Sequence, residues 1–198
     1  WTGSESKFWN YKDKNFDWNG ATSFVAGDSV TFTGEAQQTT VTVNEMILTG
    51  GVTFQSGKYV LQGEGGISGD GGVTVEKDAD VTLNMKYSDY TGKTIVNGGT
   101  LTVPNFYDGG QESALGAAAA SKDNLQLNGG TLVLSKDNMG TDRQITRTDT
   151  ATIRITQSTS ALTLKGAVSG TGYLVKDGAG TLNFTYGGTN NFAGLSVK

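Results

Sequence analysis

Short stretches in which apolar residues alternate with threonine recur along the chain. Five clear examples are Val41-Thr42-Val43, Val52-Thr53-Phe54, Val73-Thr74-Val75, Val81-Thr82-Leu83 and Leu162-Thr163-Leu164. Alternation with a period of two puts the apolar side chains on one face of a strand and threonine on the other. The pattern therefore predicts short β-strands, each of which buries one face.

A Gly-Gly pair followed by such a strand occurs four times, with its first glycine at Gly50, Gly71, Gly98 and Gly129. The separations of 21, 27 and 31 residues exceed the spacing of about 8 to 12 residues that is typical of hairpin strands in a sandwich. They match a solenoid with coils of about 20 residues and insertions at one corner. Stacked coils would align the inward-facing side chains into one continuous core.

Two of these corners carry an asparagine before the glycines, at Asn97 and Asn128. An Asn-Gly pair is also the usual turn of a β-hairpin, so a hairpin is the alternative to a solenoid corner. The recurrence at coil length favours the corner. In that case Asn97 and Asn128 lie above one another and share hydrogen bonds, as amide ladders do in stacked parallel strands.

The composition supports strands and excludes several kinds of chemistry. The chain has 30 Gly, 1 Pro, no Cys and no His, and its formal net charge is −4. Glycine and β-branched residues favour strands joined by tight turns. Without His or Cys there is no Ser-His triad, no thiol nucleophile and no common transition-metal ligand, and we expect no cofactor and no metal site.

The distribution of charged and apolar residues also limits the partners. The 15 Lys and Arg are scattered, which argues against nucleic acid as a partner. No run of about 18 apolar residues is present, so we expect no direct membrane insertion. The first residues do not have the pattern of a secretion signal, and we expect any such signal to have been removed or to lie upstream.

Two segments interrupt the rhythm of the strands. Residues 106–123 include an alanine run, and we interpret this segment as a loop that leaves the stack at one corner. A single helical turn at Ala117 to Ala120 is compatible with the helix propensity of alanine. Residues 137–149 are a second candidate loop.

One motif near the end of the sequence is more specific. Residues 169–182 read SGTGYLVKDGAGTL, and residues 190–194 read NNFAG. This motif resembles the passenger-associated transport repeat, also called the autotransporter-associated β-strand repeat. Residues 90–101 resemble another part of the same repeat, and the tryptophan-rich first residues resemble the opening that often precedes it. The resemblance implies a right-handed parallel β-helix, exposed on or secreted from a bacterial cell, with no catalytic residues.

We therefore predict an all-β fold, a right-handed single-stranded parallel β-helix with an N-terminal aromatic cap and corner loops. Residues 1–40 would form the cap and first coil, and residues 41–198 the following coils, in one continuous domain. The chain stops in the middle of a repeat, so we expect a C-terminal truncation. Further domains of the same polypeptide would associate it with the bacterial outer membrane and place it on the cell surface or outside the cell.

Six aromatic residues fall within the first 18 positions, interleaved with lysine, aspartate and asparagine. They either cap the first coil or form a carbohydrate platform, in which aromatic rings stack on sugar rings. For the platform, the candidate ligand-binding residues are Trp9, Tyr11 and Trp18. A second aromatic set contains Tyr87, Tyr90, Phe106 and Tyr107, and we favour packing as its role.

The charged residues give weaker candidates. The densest acidic group is Asp70, Glu76, Asp78 and Asp80, for which a solvated corner is favoured over a catalytic or calcium site. The three arginines, Arg143, Arg147 and Arg154, could bind a polyanionic glycan. Pairing with Asp142 and Asp149 is the favoured alternative.

Three functions remain open. The first is a structural or adhesive stalk within a larger exported bacterial surface protein, which is not an enzyme. The second is a carbohydrate-binding module of a glycan-processing surface protein, with an extracellular glycan or a host surface as its partner. The third is a polysaccharide lyase or hydrolase, for which the only support is the use of the β-helix fold by such enzymes.

Overall fold

The computed structural model describes residues 1–136 and 138–198, and in these residues it contains strands and connecting segments but no helix. Within this part of the chain, accordingly, no helix is long and apolar enough to cross a membrane. The strands are β1 (Phe16–Asp17), β2 (Ala21–Thr22), β3 (Ser29–Phe32), β4 (Thr40–Thr42), β5 (Met46–Leu48), β6 (Gly51–Gly63), β7 (Gly66–Ser68), β8 (Val73–Met85), β9 (Thr94–Asn97), β10 (Thr100–Val103), β11 (Leu125–Leu127), β12 (Thr131–Leu134), β13 (Met139–Thr141), β14 (Ile145–Arg147), β15 (Ala151–Ile155), β16 (Ala161–Leu164), β17 (Val168–Gly170), β18 (Tyr173–Asp177), β19 (Thr181–Phe184) and β20 (Gly194–Val197).

These strands form a parallel β-solenoid of about 8 turns, which confirms the predicted fold class. Face A consists of β3, the first halves of β6 and β8, β9, β11, β14 and β17. Face B consists of β4, the second halves of β6 and β8, β10, β12, β15, β18 and β20. Face C contains two separate ladders, β5–β7 and β13–β16–β19. Every strand pair on the three faces is parallel.

The register of the strands on face A gives the number of residues in each coil. Val30 pairs with Val52, and Val52 pairs with Val73, so each of these two coils is about 20 residues long, the length expected of a solenoid coil. Thr94 pairs with Leu125, and this longer coil holds the loop at 106–123. The predicted coil length, with insertions in some coils, is therefore confirmed.

The core is the column of inward-facing side chains that this register creates. On face B, Tyr59, Val81, Leu101, Leu132 and Ile153 lie above one another, and each is buried. Burial of such side chains contributes about 1.5–3 kcal/mol each. Because each coil contacts only its neighbours, the fold is stabilised step by step along the axis.

The four Gly-Gly pairs occupy two different corners of the coil. The prediction that they mark one and the same corner is therefore wrong. Gly50, Gly71 and Gly92 stack at the corner that leads into face A, where an added Cβ on Gly71 would lie 2.2 Å from the carbonyl carbon of Gly50. Gly98 and Gly129 stack at the corner between faces A and B, with φ angles of 81° and 76°. Both corners select glycine, one for close backbone approach and the other for positive φ. The separation between Gly71 and Gly98 is therefore a distance between two different corners and not the length of a coil.

The hairpin alternative at Asn97 and Asn128 is wrong, because β9 and β10 pair with strands of neighbouring coils and not with each other. The loop at 106–123 is confirmed as an excursion without strands. The helical turn at Ala117 to Ala120 is absent, and these residues lie in an irregular segment. The second predicted loop at 137–149 is wrong: β13 and β14 lie within it, and Asp137 lies outside the described residues.

Candidate functional site

The N-terminal aromatic residues close the first end of the solenoid. The Trp9 ring lies 5.5 Å from the Phe24 ring and 5.6 Å from the Phe32 ring, between ring centroids. Phe32 in turn stacks on Phe54 of the next coil at 4.7 Å. The backbone of this segment also covers the edge of β4, since Trp9 N donates to Thr42 O and Thr42 N donates to Lys7 O. The aromatic cluster therefore shields both the core and a strand edge from solvent.

The three candidate ligand-binding residues are not brought together on one surface. Trp9 is completely buried within the cap, so its ring has no face that a sugar could reach in this structure. Tyr11 is half-buried; its hydroxyl accepts a hydrogen bond from Leu48 N at 2.8 Å and is 3.3 Å from Met46 O. Trp18 is 81% exposed. Of the predicted platform, only Trp18 presents a free aromatic face.

Trp18 lies at the tip of a short hairpin that stands beside the cap. Strands β1 and β2 pair antiparallel, with Phe16 opposite Thr22. In the turn, Asn19 has a φ of 57° and Gly20 has a φ of 121°, and Gly20 N donates to Asp17 Oδ1 at 2.9 Å. The hairpin thus fixes the backbone that carries Trp18, and the side chain points away from the packed cluster.

A cleft of about 270 Å³ lies between this hairpin and β3, and we call it the Trp18 cleft. Its apolar lining comes from Trp18, the half-buried Phe16 and the buried side chains of Trp1, Phe24 and Val30. Its polar side contains two carboxylates and four hydroxyl groups. These belong to Asp17, Asp28, Thr22, Ser23, Ser29 and Thr31.

The second aromatic set is divided between the core and the surface. Tyr90 and Phe106 are buried, as the packing interpretation expected, whereas Tyr87 and Tyr107 are about half exposed. The Tyr90 hydroxyl lies 2.7 Å from Thr94 Oγ1. Burial raises the pKa of Tyr90 to about 12, because ionisation would place a charge in the core.

Arg143 holds the long excursion against the solenoid, a role that the sequence did not indicate. Its guanidinium donates to Tyr107 O at 3.0 Å, Ala118 O at 3.1 Å and Gly116 O at 2.7 Å, with a longer contact to Gln111 O at 3.4 Å. The side chain is buried, and desolvation lowers its pKa. Carbonyl oxygens, rather than carboxylates, therefore satisfy this buried cation.

The other two arginines also differ from the prediction of pairing with Asp142 and Asp149. Arg154 pairs instead with Asp177, with Nε 2.6 Å from Oδ2. Arg147 is buried; its Nη1 donates to Thr171 O and Gly172 O, and its guanidinium lies 5.3 Å from the centre of the Phe192 ring. Desolvation lowers the pKa of Arg147. These contacts join coils to one another and leave no clustered basic surface among the described residues.

The asparagine ladder predicted at the corner is confirmed and extends by one residue. Asn128 Nδ2 donates to Asn97 Oδ1 at 3.1 Å, and Asn97 Nδ2 donates to Glu76 Oε1 at 3.2 Å. Glu76, one of the candidate acids, is therefore part of the ladder. Another, Asp80, lies 3.6 Å from Lys58 on the surface. Within residues 1–136 and 138–198, no group of three or more acidic residues could hold a metal ion.

Comparison with known proteins gives one curated relative. Over 154 residues the chain is 40% identical to the adhesin BmaC autotransporter of Brucella suis biovar 1 (strain 1330). The match covers 74% of this chain and only 4% of the length of that adhesin. No family model matches, so the resemblance to the passenger-associated transport repeat stays a prediction. No solved structure matches either.

Proposed function

We propose that this chain is a β-solenoid segment of an exported bacterial surface adhesin and acts as a rigid, non-enzymatic part of its passenger region. The observation that supports this most is the 40% identity to a stretch of an autotransporter adhesin, over most of this chain. The solenoid supplies the physical basis, because stacked parallel coils build an elongated body that lengthens by about 4.8 Å with each coil.

The described surface fits a stalk better than an active site. Two of the acids that the sequence grouped together make separate contacts, Glu76 in the asparagine ladder and Asp80 in a surface ion pair. The two buried arginines donate to backbone carbonyls that fix a loop and a corner. These polar groups stabilise the stack and are not arranged around a common substrate position.

Surface labelling tests where the segment lies. Antibody raised against the purified chain is applied to intact and to permeabilised bacteria that produce the parent protein. The proposal expects equal labelling of both, because an exported passenger is accessible from outside. Labelling that requires permeabilisation would contradict it.

Removal of one whole coil tests the role as a stalk. Residues 52–72 form one coil, since Val52 pairs with Val73, so their deletion preserves the register of the remaining strands. In the parent protein this variant should be exported normally, and its attachment to host cells should change little. The matched control deletes residues 52–61, half a coil, which breaks the register and should abolish surface display. Loss of attachment in the well-displayed one-coil variant would contradict the role as a stalk.

A further inference from the structure

Trp18 is the most exposed large apolar side chain among the described residues, and the hairpin that carries it holds it in solvent. Its neighbour Phe16 packs against Trp1 and Phe24, at 5.3 and 5.2 Å between ring centroids. The same hairpin therefore anchors one aromatic ring in the cap and directs the next ring into solvent. A large apolar side chain left in water forgoes about 1.5–3 kcal/mol of burial. The turn that holds Trp18 in this position is itself fixed by the hydrogen bond from Gly20 N to Asp17 Oδ1.

The Trp18 cleft offers two kinds of contact within one small volume. Trp18 is exposed and Phe16 is half-buried, so these two rings supply the accessible apolar surface, while Phe24 and Val30 lie buried beneath it. Asp28 and Ser29, on the opposite side, are exposed, and no described group donates a hydrogen bond to the Asp28 carboxylate. A ligand that enters the cleft thus meets an aromatic face and a free carboxylate together.

This combination matches the chemistry of a pyranose ring. Such a ring has an apolar face of C–H groups, which packs on an indole, and an edge of hydroxyl groups, which donate to carboxylates and exchange hydrogen bonds with serine and threonine. Pockets for drug-sized ligands begin at about 300 Å³, so a cleft of 270 Å³ has room for about one ring, and the rest of an oligosaccharide would extend into solvent. Two carboxylates at the cleft, Asp17 and Asp28, would repel an acidic sugar.

We propose that the Trp18 cleft binds a single neutral hexopyranose, the terminal residue of a cell-surface oligosaccharide. The sugar stacks on Trp18, and its hydroxyl groups donate to Asp28. This inference rests on the proposed function in an adhesin and names the ligand class through which the segment would contribute to adhesion. One such cleft gives weak binding, and affinity for a cell would come from many copies on one surface.

Tryptophan fluorescence can test the cleft in the intact chain. Of the three tryptophans, Trp1 is 8% exposed and Trp9 is fully buried, so acrylamide quenching reports mainly on Trp18. The chain is titrated with lactose, maltose, mannobiose and chitobiose, and separately with tetramethylammonium chloride. The proposal expects at least one disaccharide, and not the cation, to reduce quenching in a saturable manner.

Two variants and a control identify the site, and the same disaccharide is followed by calorimetry. Trp18→Ala should abolish binding, and Asp28→Asn should weaken it roughly tenfold or more, as expected for loss of a hydrogen bond to a charged group. Both positions are exposed, so Tm should not change. Tyr173→Ala removes another exposed aromatic ring, in β18 near the opposite end, and should bind normally.

The proposal would be overturned if no disaccharide protects Trp18, if binding survives in Trp18→Ala, or if tetramethylammonium protects equally well. The last result would identify a site for cations, which also bind aromatic faces near carboxylates. Any of these results leaves surface labelling of intact bacteria unaffected, so failure of the cleft and failure of the proposed function are distinguishable.

Discussion

Replacement of Arg143 by methionine should release the excursion at 106–123 while the rest of the solenoid stays folded. Methionine keeps most of the side-chain volume but removes three well-formed charged hydrogen bonds, to Tyr107 O, Ala118 O and Gly116 O. Hydrogen bonds to charged groups contribute about 1.5–3 kcal/mol each, and the desolvation of the guanidinium offsets part of this gain. Each of these carbonyls also keeps a second donor. We therefore expect a net loss of about 2–4 kcal/mol.

Hydrogen exchange measures this loss at single amides. Gly110 N donates to Ala118 O, and Ala117 N donates to Tyr90 O, so both amides report on the excursion. A loss of about 2–4 kcal/mol corresponds to exchange that is 30- to 1,000-fold faster at these positions. Amides of β4 and β6 should keep their protection, because the coil of β8 lies between them and the coil that carries the excursion, and coils contact only their neighbours.

The matched control is Arg154→Met, which removes an arginine from a surface ion pair with Asp177. Surface pairs contribute little, so exchange at Gly110 and Ala117 should not change. The reasoning would be refuted if Arg143→Met left these two amides protected, or if it accelerated exchange equally throughout the chain.

Three further predictions concern single positions. Asn128→Ala removes one hydrogen bond of the asparagine ladder and should lower the free energy of unfolding by about 0.5–1.5 kcal/mol. Urea denaturation measures this loss, and an unchanged free energy would show that the ladder contributes nothing. Gly66→Ala would place a Cβ 1.2 Å from Tyr87 O and should lower Tm sharply or prevent folding, whereas Gly187→Ala, with open space around it, should not change Tm. Burial raises the pKa of Tyr90 to about 12, whereas a tyrosine in the unfolded chain ionises near 10, so the contribution of Tyr90 to stability should be complete below pH 10 and be lost as the pH rises from 10 to 12. Urea denaturation at pH 9 and pH 11 checks this, and Tyr90→Phe should show a smaller decrease.

The fold could be predicted because the forces that determine it are local and repeat. Alternation in segments such as Val73-Thr74-Val75 fixed which side chains face inward, and the structure buries both valines. The stacking of Asn97 on Asn128 followed from their equal place in successive coils. The residues of a single coil determine which of its side chains face the core, and the next coil repeats the same pattern.

The details that could not be predicted depend on contacts between distant residues. Glycines of two different corners look alike in sequence, since close backbone approach at Gly71 and positive φ at Gly98 select the same residue. Arg143 holds the excursion through carbonyl oxygens of residues 107–118. Every residue has a backbone carbonyl, so the sequence does not indicate which of them accept these hydrogen bonds. The same limit applies to the aromatic cap, where Trp9 and Trp18 have similar sequence surroundings but one is buried and the other exposed.

The distance between the two ends of face A tests the solenoid most directly. Thr31 and Ser169 lie in the same outward-facing column, linked through Thr53, Thr74, Ile95, Gln126 and Thr146. The column makes six steps of about 4.8 Å, so the expected separation is about 29 Å. The chain has no cysteine, so Thr31→Cys and Ser169→Cys can be spin-labelled without interference and measured by pulsed electron paramagnetic resonance. A narrow distribution centred near this separation is the predicted result. A much shorter separation, or a broad distribution, would contradict the stack of parallel coils.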